Sequence, residues 1–377
     1  MPVPACKNIA CEERILFALT EKIADGFLGH LPKFHAPSSN VEYIVPDKTE
    51  DWLATLRRIQ PTILITGWHT PALPQEWIES PEFSLRYLCH LAGTVKHVCP
   101  RRVLERGVLV SNWGSTVNHT IAEHALLLVL GALRSTAQWN AWQPDTHNQQ
   151  AIASSWHDAK TTLRTRSLRG RRVGLHGLGS IARETIKLLR PFNVTLSAFS
   201  DGVPAMEFQN CDVRQCASLE ELFSTNEIII ECEALTPASR GSVTEKLLAL
   251  LPDDAVFVNV GRGEVVDENA LARLATQKTP DATAAGGGEA RETQAGGGRR
   301  LRVAVDVFQQ EPPLPDSPLM TAARNNKILF SPHIAGPTPD VFPSCGDFAM
   351  QNLRHFLNGQ RAQIQGLVTL EIYDRST

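Results

Sequence analysis

Short apolar runs alternate with stretches of helical periodicity along this chain. Arg14 to Leu19, Val41 to Val45, Ile63 to Thr66, Leu85 to Leu91 and Val108 to Ser111 read as strands. Between them an amphipathic piece through Phe27 and Leu31, the segment Asp51 to Ile59 and a piece ending at Arg106-Gly107 read as helices. Strands alternating with helices predict a parallel sheet with helices on both faces. The most helical segment follows, from about Thr116 to Trp139, and reads as a bridge between two domains; Gln143 to Ser167 is polar and less regular.

The alternation resumes at Val173-Gly174-Leu175-His176-Gly177-Leu178-Gly179-Ser180-Ile181-Ala182, an apolar run that breaks into spaced glycines and then into helical periodicity. It predicts a strand, a tight turn and a helix start. Gly177 lets the chain reverse, Gly179 lets N–H groups of Ser180 and Ile181 approach a pyrophosphate, and Ala182 lets helix and strand pack closely. Free N–H groups at that helix start favour an anion. Ile181, Thr185, Leu188 and Leu189 continue at helical spacing to Arg190-Pro191, and Val194 to Phe199 is the next strand. Ser218-Leu219-Glu220-Glu221 reads as a capping box, Ile228 to Cys232 as a strand, Thr244 as the cap of Glu245 to Leu251, and Ala255 to Val260 as a strand. Together these predict a second doubly wound sheet. Thr279 to Arg300, rich in glycine and poor in apolar side chains, reads as a disordered surface insertion before order returns at Leu301 to Phe308. A helix near Phe348 to Asn358 and a strand-like end, Leu367 to Ile372, close the chain.

Composition narrows the function classes. With 377 residues, 42% apolar, and 37 basic against 40 acidic side chains, the chain is expected to be soluble, with no imbalance pointing to nucleic acid or a membrane surface. Its opening lacks a signal-peptide core, and its eight cysteines are scattered without a C-x-x-C pair, so a cytoplasmic protein with buried free thiols is expected. His119 and His124 do not share a helix face, and no metal site is expected.

Three further signals stand at the C-terminal ends of predicted strands, where ligands bind in open α/β sheets. They are Asn259-Val260-Gly261-Arg262-Gly263, Asp306-Val307-Phe308-Gln309-Gln310-Glu311-Pro312 and Ser331-Pro332-His333-Ile334-Ala335-Gly336. Singly, each has a plain explanation as a surface arginine, a loop glutamate or a hydrogen-bonded histidine. In this order and together they resemble the D-isomer-specific 2-hydroxyacid dehydrogenases, from about Leu85 to Gly336. The resemblance implies an α/β fold of two doubly wound parallel-sheet domains: a Rossmann NAD(P)-binding domain, 122–338, inserted into a flavodoxin-like substrate domain made of 1–121 and 339–377. It implies Arg262, Glu311 and His333 as the catalytic set, Asp306 beside the nicotinamide, Val260 as a further cofactor-binding residue, and Ala92-Gly93-Thr94 gripping the substrate carboxylate. Ala122-Glu123 matches the family's A-E pair on the linking helix. A homodimer packed through that helix is implied too.

The residue types suit the chemistry. Reducing a 2-oxo acid takes a hydride at the carbonyl carbon and a proton at its oxygen, and a histidine can give the proton near neutral pH. Glu311 would orient His333, and Arg262 would hold the carboxylate and polarise the carbonyl. The expected cofactor is NAD, with NADP left open. The residue placed at the ribose is Ser200, with Asp201 one step later, where NAD-preferring members carry an acid. A second departure is Cys232-Glu233-Ala234-Leu235-Thr236-Pro237, which lacks the family's His-x-Pro and alters a wall of the adenine side. Trp68 and Trp113 either line a pocket for an apolar side chain or pack into a core. Two other functions stay in view: an NAD(H)-sensing corepressor-like protein of the same fold, and a formate- or phosphite-type dehydrogenase. Glu311 argues against the formate type, in which a glutamine stands there.

Overall fold

The structure, a computed structural model, describes residues 13–29, 40–46, 51–144, 146–277 and 300–375. The glycine-rich segment 279–300 lies outside the described residues except for Arg300. The chain forms two compact units, Met1–Val117 with Pro337–Thr377, and Asn118–Gly336.

The first unit holds a five-stranded parallel sheet of β1 (Ile15–Ala18), β2 (Val41–Ile44), β3 (Ile63–Thr66), β4 (Tyr87–His90) and β5 (Leu109–Ser111), in the order β2-β1-β3-β4-β5. This is the flavodoxin-like order. Its central strands β1, β3 and β4 are buried throughout, which is why their sequences are apolar runs without alternation. Thr20 caps the helix Glu21–Leu28 by accepting from Ile23 N–H, and Asp51 caps Trp52–Ile59 through Ala54 N–H. The closing helix starts earlier than its apolar pattern suggested, at Phe342, and runs to Leu357. It lies on the helix Glu21–Leu28 so closely that a Cβ on Gly346 would fall on the Phe27 carbonyl. The expected terminal strand is replaced: Leu367 alone bridges Ser111, and Leu370–Arg375 is helical. There Thr369 accepts from Ile372 N–H and Glu371 pairs with Arg375 one turn on, local bonds that outcompete a strand.

The second unit holds a seven-stranded parallel sheet of β6 (Arg172–His176), β7 (Thr195–Phe199), β8 (Arg214–Gln215), β9 (Ile228–Glu231), β10 (Ala255–Asn259), β11 (Leu301–Val305) and β12 (Leu329–Phe330). Its order, β12-β11-β10-β9-β6-β7-β8, reverses between β6 and β9, and loops leaving those strands open onto the crevice of a Rossmann sheet. Apolar clusters cover both faces. The long helical segment is divided: Asn118–Arg134 is helical, Ser135 turns left-handed at φ 57°, and Thr136–Trp139 follows as a short helix. Arg302 is buried against that break and donates to the Asp254 carboxylate at 2.8 and 2.9 Å and to Ser135 at 3.0 Å.

The stretch expected to be irregular contains a further helix, Gln149–Thr162, capped by Asn148. It buries no side chain, so its apolar residues carry no one-faced pattern to read. The pieces Ala205–Asn210, Glu268–Thr276 and Pro318–Arg324 were likewise not foreseen, being short segments in which few positions define a period.

Gly346→Ala is expected to destabilise the chain by about 3 kcal/mol, the upper end for overpacking, because the obstacle is backbone that cannot rotate away. Chemical denaturation followed by circular dichroism checks this; a loss under about 0.5 kcal/mol would mean that the two helices separate freely.

Candidate functional site

In the second unit the loop after β12 is built around one carboxylate. Asp306, 1% exposed, accepts from Ser331 Oγ at 2.6 Å, Ile334 N–H at 2.9 Å and Ala335 N–H at 3.0 Å. His124 Nε2 lies 2.7 Å from Ser331 Oγ and 3.4 Å from the carboxylate. Since the single hydroxyl proton of Ser331 goes to Asp306, His124 must carry its proton on Nε2 and donate to Ser331. Burial works to raise the pKa of Asp306, but the bonds from His124, Ser331 and the two amides outweigh it, and the carboxyl is held below its ordinary value. Asp306 O also accepts from His333 N–H at 2.9 Å, and His333 is held at φ 52°, in the left-handed region.

That backbone presents the His333 side chain, 45% exposed, to Glu311, with Nδ1 2.5 Å from Oε2. The other carboxylate oxygen accepts from Phe308 N–H at 3.0 Å. Burial pushes the Glu311 pKa up, yet His333, the Phe308 amide and the Arg262 charge together bring it below the ordinary value. Arg262 lies in the loop after β10. Asn259 sets that turn, its Oδ1 accepting from Gly261 N–H at 3.0 Å and its Nδ2 donating to Arg262 O at 3.1 Å. The guanidinium donates to Gly261 O at 2.7 Å, and no carboxylate among the described residues pairs with it. Its desolvation lowers its pKa, which Glu311 and Glu264 oppose. A Cβ on Gly263 would fall on the Phe308 backbone, so the arginine loop rests directly on the glutamate loop. Arg262, Glu311 and His333 are thus brought together: a desolvated cation with donors to spare, beside a carboxylate-oriented imidazole.

At the glycine turn, Gly177 has φ 96°, and a Cβ there would stand 2.9 Å from the Cys232 carbonyl group and Glu233 Cα. Gly179 is the N-cap of the helix Ser180–Leu189, makes no side-chain capping bond, and faces open space where a Cβ would sit. A cradle of uncapped amides without side chains fits a pyrophosphate. Ser180 is exposed and Ile181 half-buried, while Val260 is buried, its N–H bonded to Glu231 O at 3.1 Å. Ser200 Oγ donates to Glu233 Oε2 at 3.0 Å, and Asp201 is exposed. Beneath them His176 Nδ1 lies 2.5 Å from Glu231 Oε2. Burial disfavours the charge on His176, but the Glu231 charge and hydrogen bond prevail and raise its pKa.

In the first unit, Ala92 is buried, Gly93 half-buried and Thr94 exposed, in the loop after β4. The N–H groups of Gly93 and Thr94 find no acceptor among the described residues. Asn112 Nδ2 donates to Gly93 O at 2.7 Å, and a Cβ on Gly93 would meet the Trp113 indole at 2.9 Å. Trp68, 39% exposed, packs edge-on against Phe27, Trp113 and Phe342, with ring centroids 5.5 to 6.0 Å apart. Both tryptophans therefore belong to one aromatic group that packs inward and keeps an open side.

Sequence patterns did not single out Ser331, His124 as a loop support, or Asn259. Each acts through a hydrogen bond to residues distant in the chain or to a local turn, which no periodicity encodes. Ala122 of the A-E pair is buried.

The family described as D-isomer specific 2-hydroxyacid dehydrogenase, NAD binding domain, matches residues 126–285. Glyoxylate/hydroxypyruvate reductase HPR3 of Arabidopsis thaliana is 24% identical over 74% of this chain and 75% of its own length. The 4-methyl-2-oxopentanoate reductase A of Aspergillus oryzae is 25% identical over 72% of this chain and 71% of its own. The crystal structure of a glyoxylate reductase from Paecilomyes thermophila shares the fold with a TM-score of 0.67 at 20% identity, covering 95% of this chain and 98% of that one.

Asp306→Asn is expected to lower stability near neutral pH by about 2 kcal/mol, the scale of hydrogen bonds to a charged group. Because the folded pKa of Asp306 is depressed, its contribution is present above the ordinary carboxylate pKa and disappears as pH falls through the folded value. The gap between the two proteins in urea titrations should close as pH falls below about 4; a gap independent of pH would remove the charge from the account.

Proposed function

We propose that this chain, whose residues 126–285 match the NAD-binding domain of the D-isomer-specific 2-hydroxyacid dehydrogenases, reduces a 2-oxo acid to the D-2-hydroxy acid with NAD(P)H. The observation that carries this reading is the Glu311–His333 pair, 2.5 Å apart, with Arg262 beside it bonded to no carboxylate among the described residues. When bound, the reduced dinucleotide supplies the hydride.

The protein's own residues do the rest. Glu311 occupies Nδ1 of His333, so the ring is fixed in rotation and Nε2 is the nitrogen left to hand a proton to the carbonyl oxygen. Arg262 has guanidinium donors free for the carboxylate and for the charge that grows on that oxygen. Arg262, Glu311 and His333 are the proposed catalytic residues. Gly177, Gly179, Ser180 and Ile181 hold the pyrophosphate, Ser200 lies at the ribose, and Val260 and Asp306 lie on the nicotinamide side. In the first unit, the amides at Gly93 and Thr94, without an acceptor among the described residues, suit a carboxylate, with Ala92 as their base and Trp68 as an apolar wall.

A homodimer is supported by the exposed apolar side chains Leu127, Trp139 and Trp156 on the helices between 118 and 162. A cytoplasmic location is supported by the free thiols of the described cysteines.

His333→Ala is expected to reduce turnover at least about 1,000-fold while leaving dinucleotide affinity within about threefold. The assay follows reduced-nicotinamide absorbance with glyoxylate, hydroxypyruvate, pyruvate and 4-methyl-2-oxopentanoate, with binding measured by calorimetry. Turnover retained in the variant would take His333 out of the mechanism. Dinucleotide binding without turnover on any 2-oxo acid would replace the reductase with a nucleotide-sensing protein.

A further inference from the structure

An acidic group stands at the ribose end of the dinucleotide crevice, and it does not come from the strand where sequence position places it. In Rossmann sheets an acid at the end of the second strand accepts the ribose 2′-hydroxyl. Here that strand is β7, and Ser200 follows it. Glu233, from the loop after β9, occupies the place instead: Ser200 Oγ donates to its Oε2 at 3.0 Å. We propose that Glu233 is the acceptor for the ribose 2′-hydroxyl and the group that excludes a 2′-phosphate, so that the protein selects NAD(H) over NADP(H). This rests on the reading of the second unit as the dinucleotide domain.

Four observations converge on it. The Glu233 backbone is held between two glycine turns: a Cβ on Gly177 would stand 2.9 Å from Glu233 Cα, and a Cβ on Gly261 would stand 3.1 Å from Glu233 O. Its loop is set from below, since Glu233 N–H donates to Glu231 Oε1 at 2.8 Å while the other oxygen of Glu231 is 2.5 Å from His176. Its side chain is half-buried, aligned by Ser200 and by the Ala234 amide at 3.1 Å, which leaves acceptor capacity for a ligand hydroxyl. No arginine or lysine pairs with it among the described residues; the charges that act on it are His176 and Glu231. His176 is itself buried and bonded to Glu231, and a carboxylate with no arginine or lysine beside it accepts a hydroxyl donor and repels a phosphate dianion. Asp201 is exposed and does not join this set.

The test is calorimetric titration of the intact chain with NADH and with NADPH, with no 2-oxo acid present. The wild-type protein should bind NADH about 100-fold more tightly. Glu233→Gln keeps the shape and removes the charge; NADPH affinity should rise at least about tenfold while NADH affinity changes by less than about fivefold. Asp201→Asn should leave the ratio unchanged. Should Glu233→Gln fold poorly, Glu233→Ala and the wild-type ratio carry the same test. Equal wild-type affinities, a ratio that Glu233→Gln does not move, or one that Asp201→Asn moves instead would overturn the assignment. Each of those outcomes leaves the reductase reading intact. Failure to bind either dinucleotide would overturn that reading along with this one.

Discussion

The Asp306 carboxylate is the constraint around which the second unit's chemistry is arranged. A carboxylate removed from water has to be met by donors, and Asp306 is met by Ser331 and the amides of Ile334 and Ala335, with His124 behind the serine. Those bonds fold the loop after β12 back on itself and set His333 at φ 52°, a conformation that costs a non-glycine residue about 1 kcal/mol or more. The strain is local and offset by the charge-assisted bonds around it. Its effect is to turn a solvent-facing imidazole toward Glu311 rather than to leave it among several rotamers.

Loop-to-loop distances are set by backbone resting on backbone. Gly263 lies against Phe308, and Gly177 lies against Cys232 and Glu233, so the loops after β10 and β11, and those after β6 and β9, meet at glycine contacts without an intervening side chain. The parallel order puts those loop pairs at one end of the sheet, and the glycines let them close. Gly179 differs from these two: no atom of the described residues occupies the space its missing side chain leaves. The same residue type serves packing at two positions and access at the third.

Charge in the second unit follows the same geometry. Acidic groups at strand ends and on the loops are each met from a different element: Glu231 by His176, Glu233 by Ser200, Glu311 by His333. Arg262 stands apart, half-buried with a lowered pKa and without a carboxylate bonded to it among the described residues, which is an unfavourable state for a guanidinium in a resting fold and a useful one for taking an anion. In the first unit the amides of Gly93 and Thr94 have no acceptor among the described residues, and an aromatic group holds Trp113 over Gly93.

What the sequence determined by itself was the set of elements whose pattern is dense and local. Buried parallel strands are continuous apolar runs, two helices carry the readable caps Ser218 and Thr244 at their starts, and the glycine turn after β6 announces its own geometry. The motifs around Arg262, Glu311 and His333 were legible for the same reason. The surface helix Gln149–Thr162 was not, because it buries no face, nor was the helical end Leu370–Arg375, whose local bonds prevail over a β-like run. Only the tertiary structure decided that His124 supports Ser331, that Asn259 clamps the arginine turn, and that the acid beside Ser200 is Glu233 rather than Asp201. Each of those is a contact between strand ends or loops brought together by sheet order, and sheet order depends on which strands pair, which no local pattern specifies.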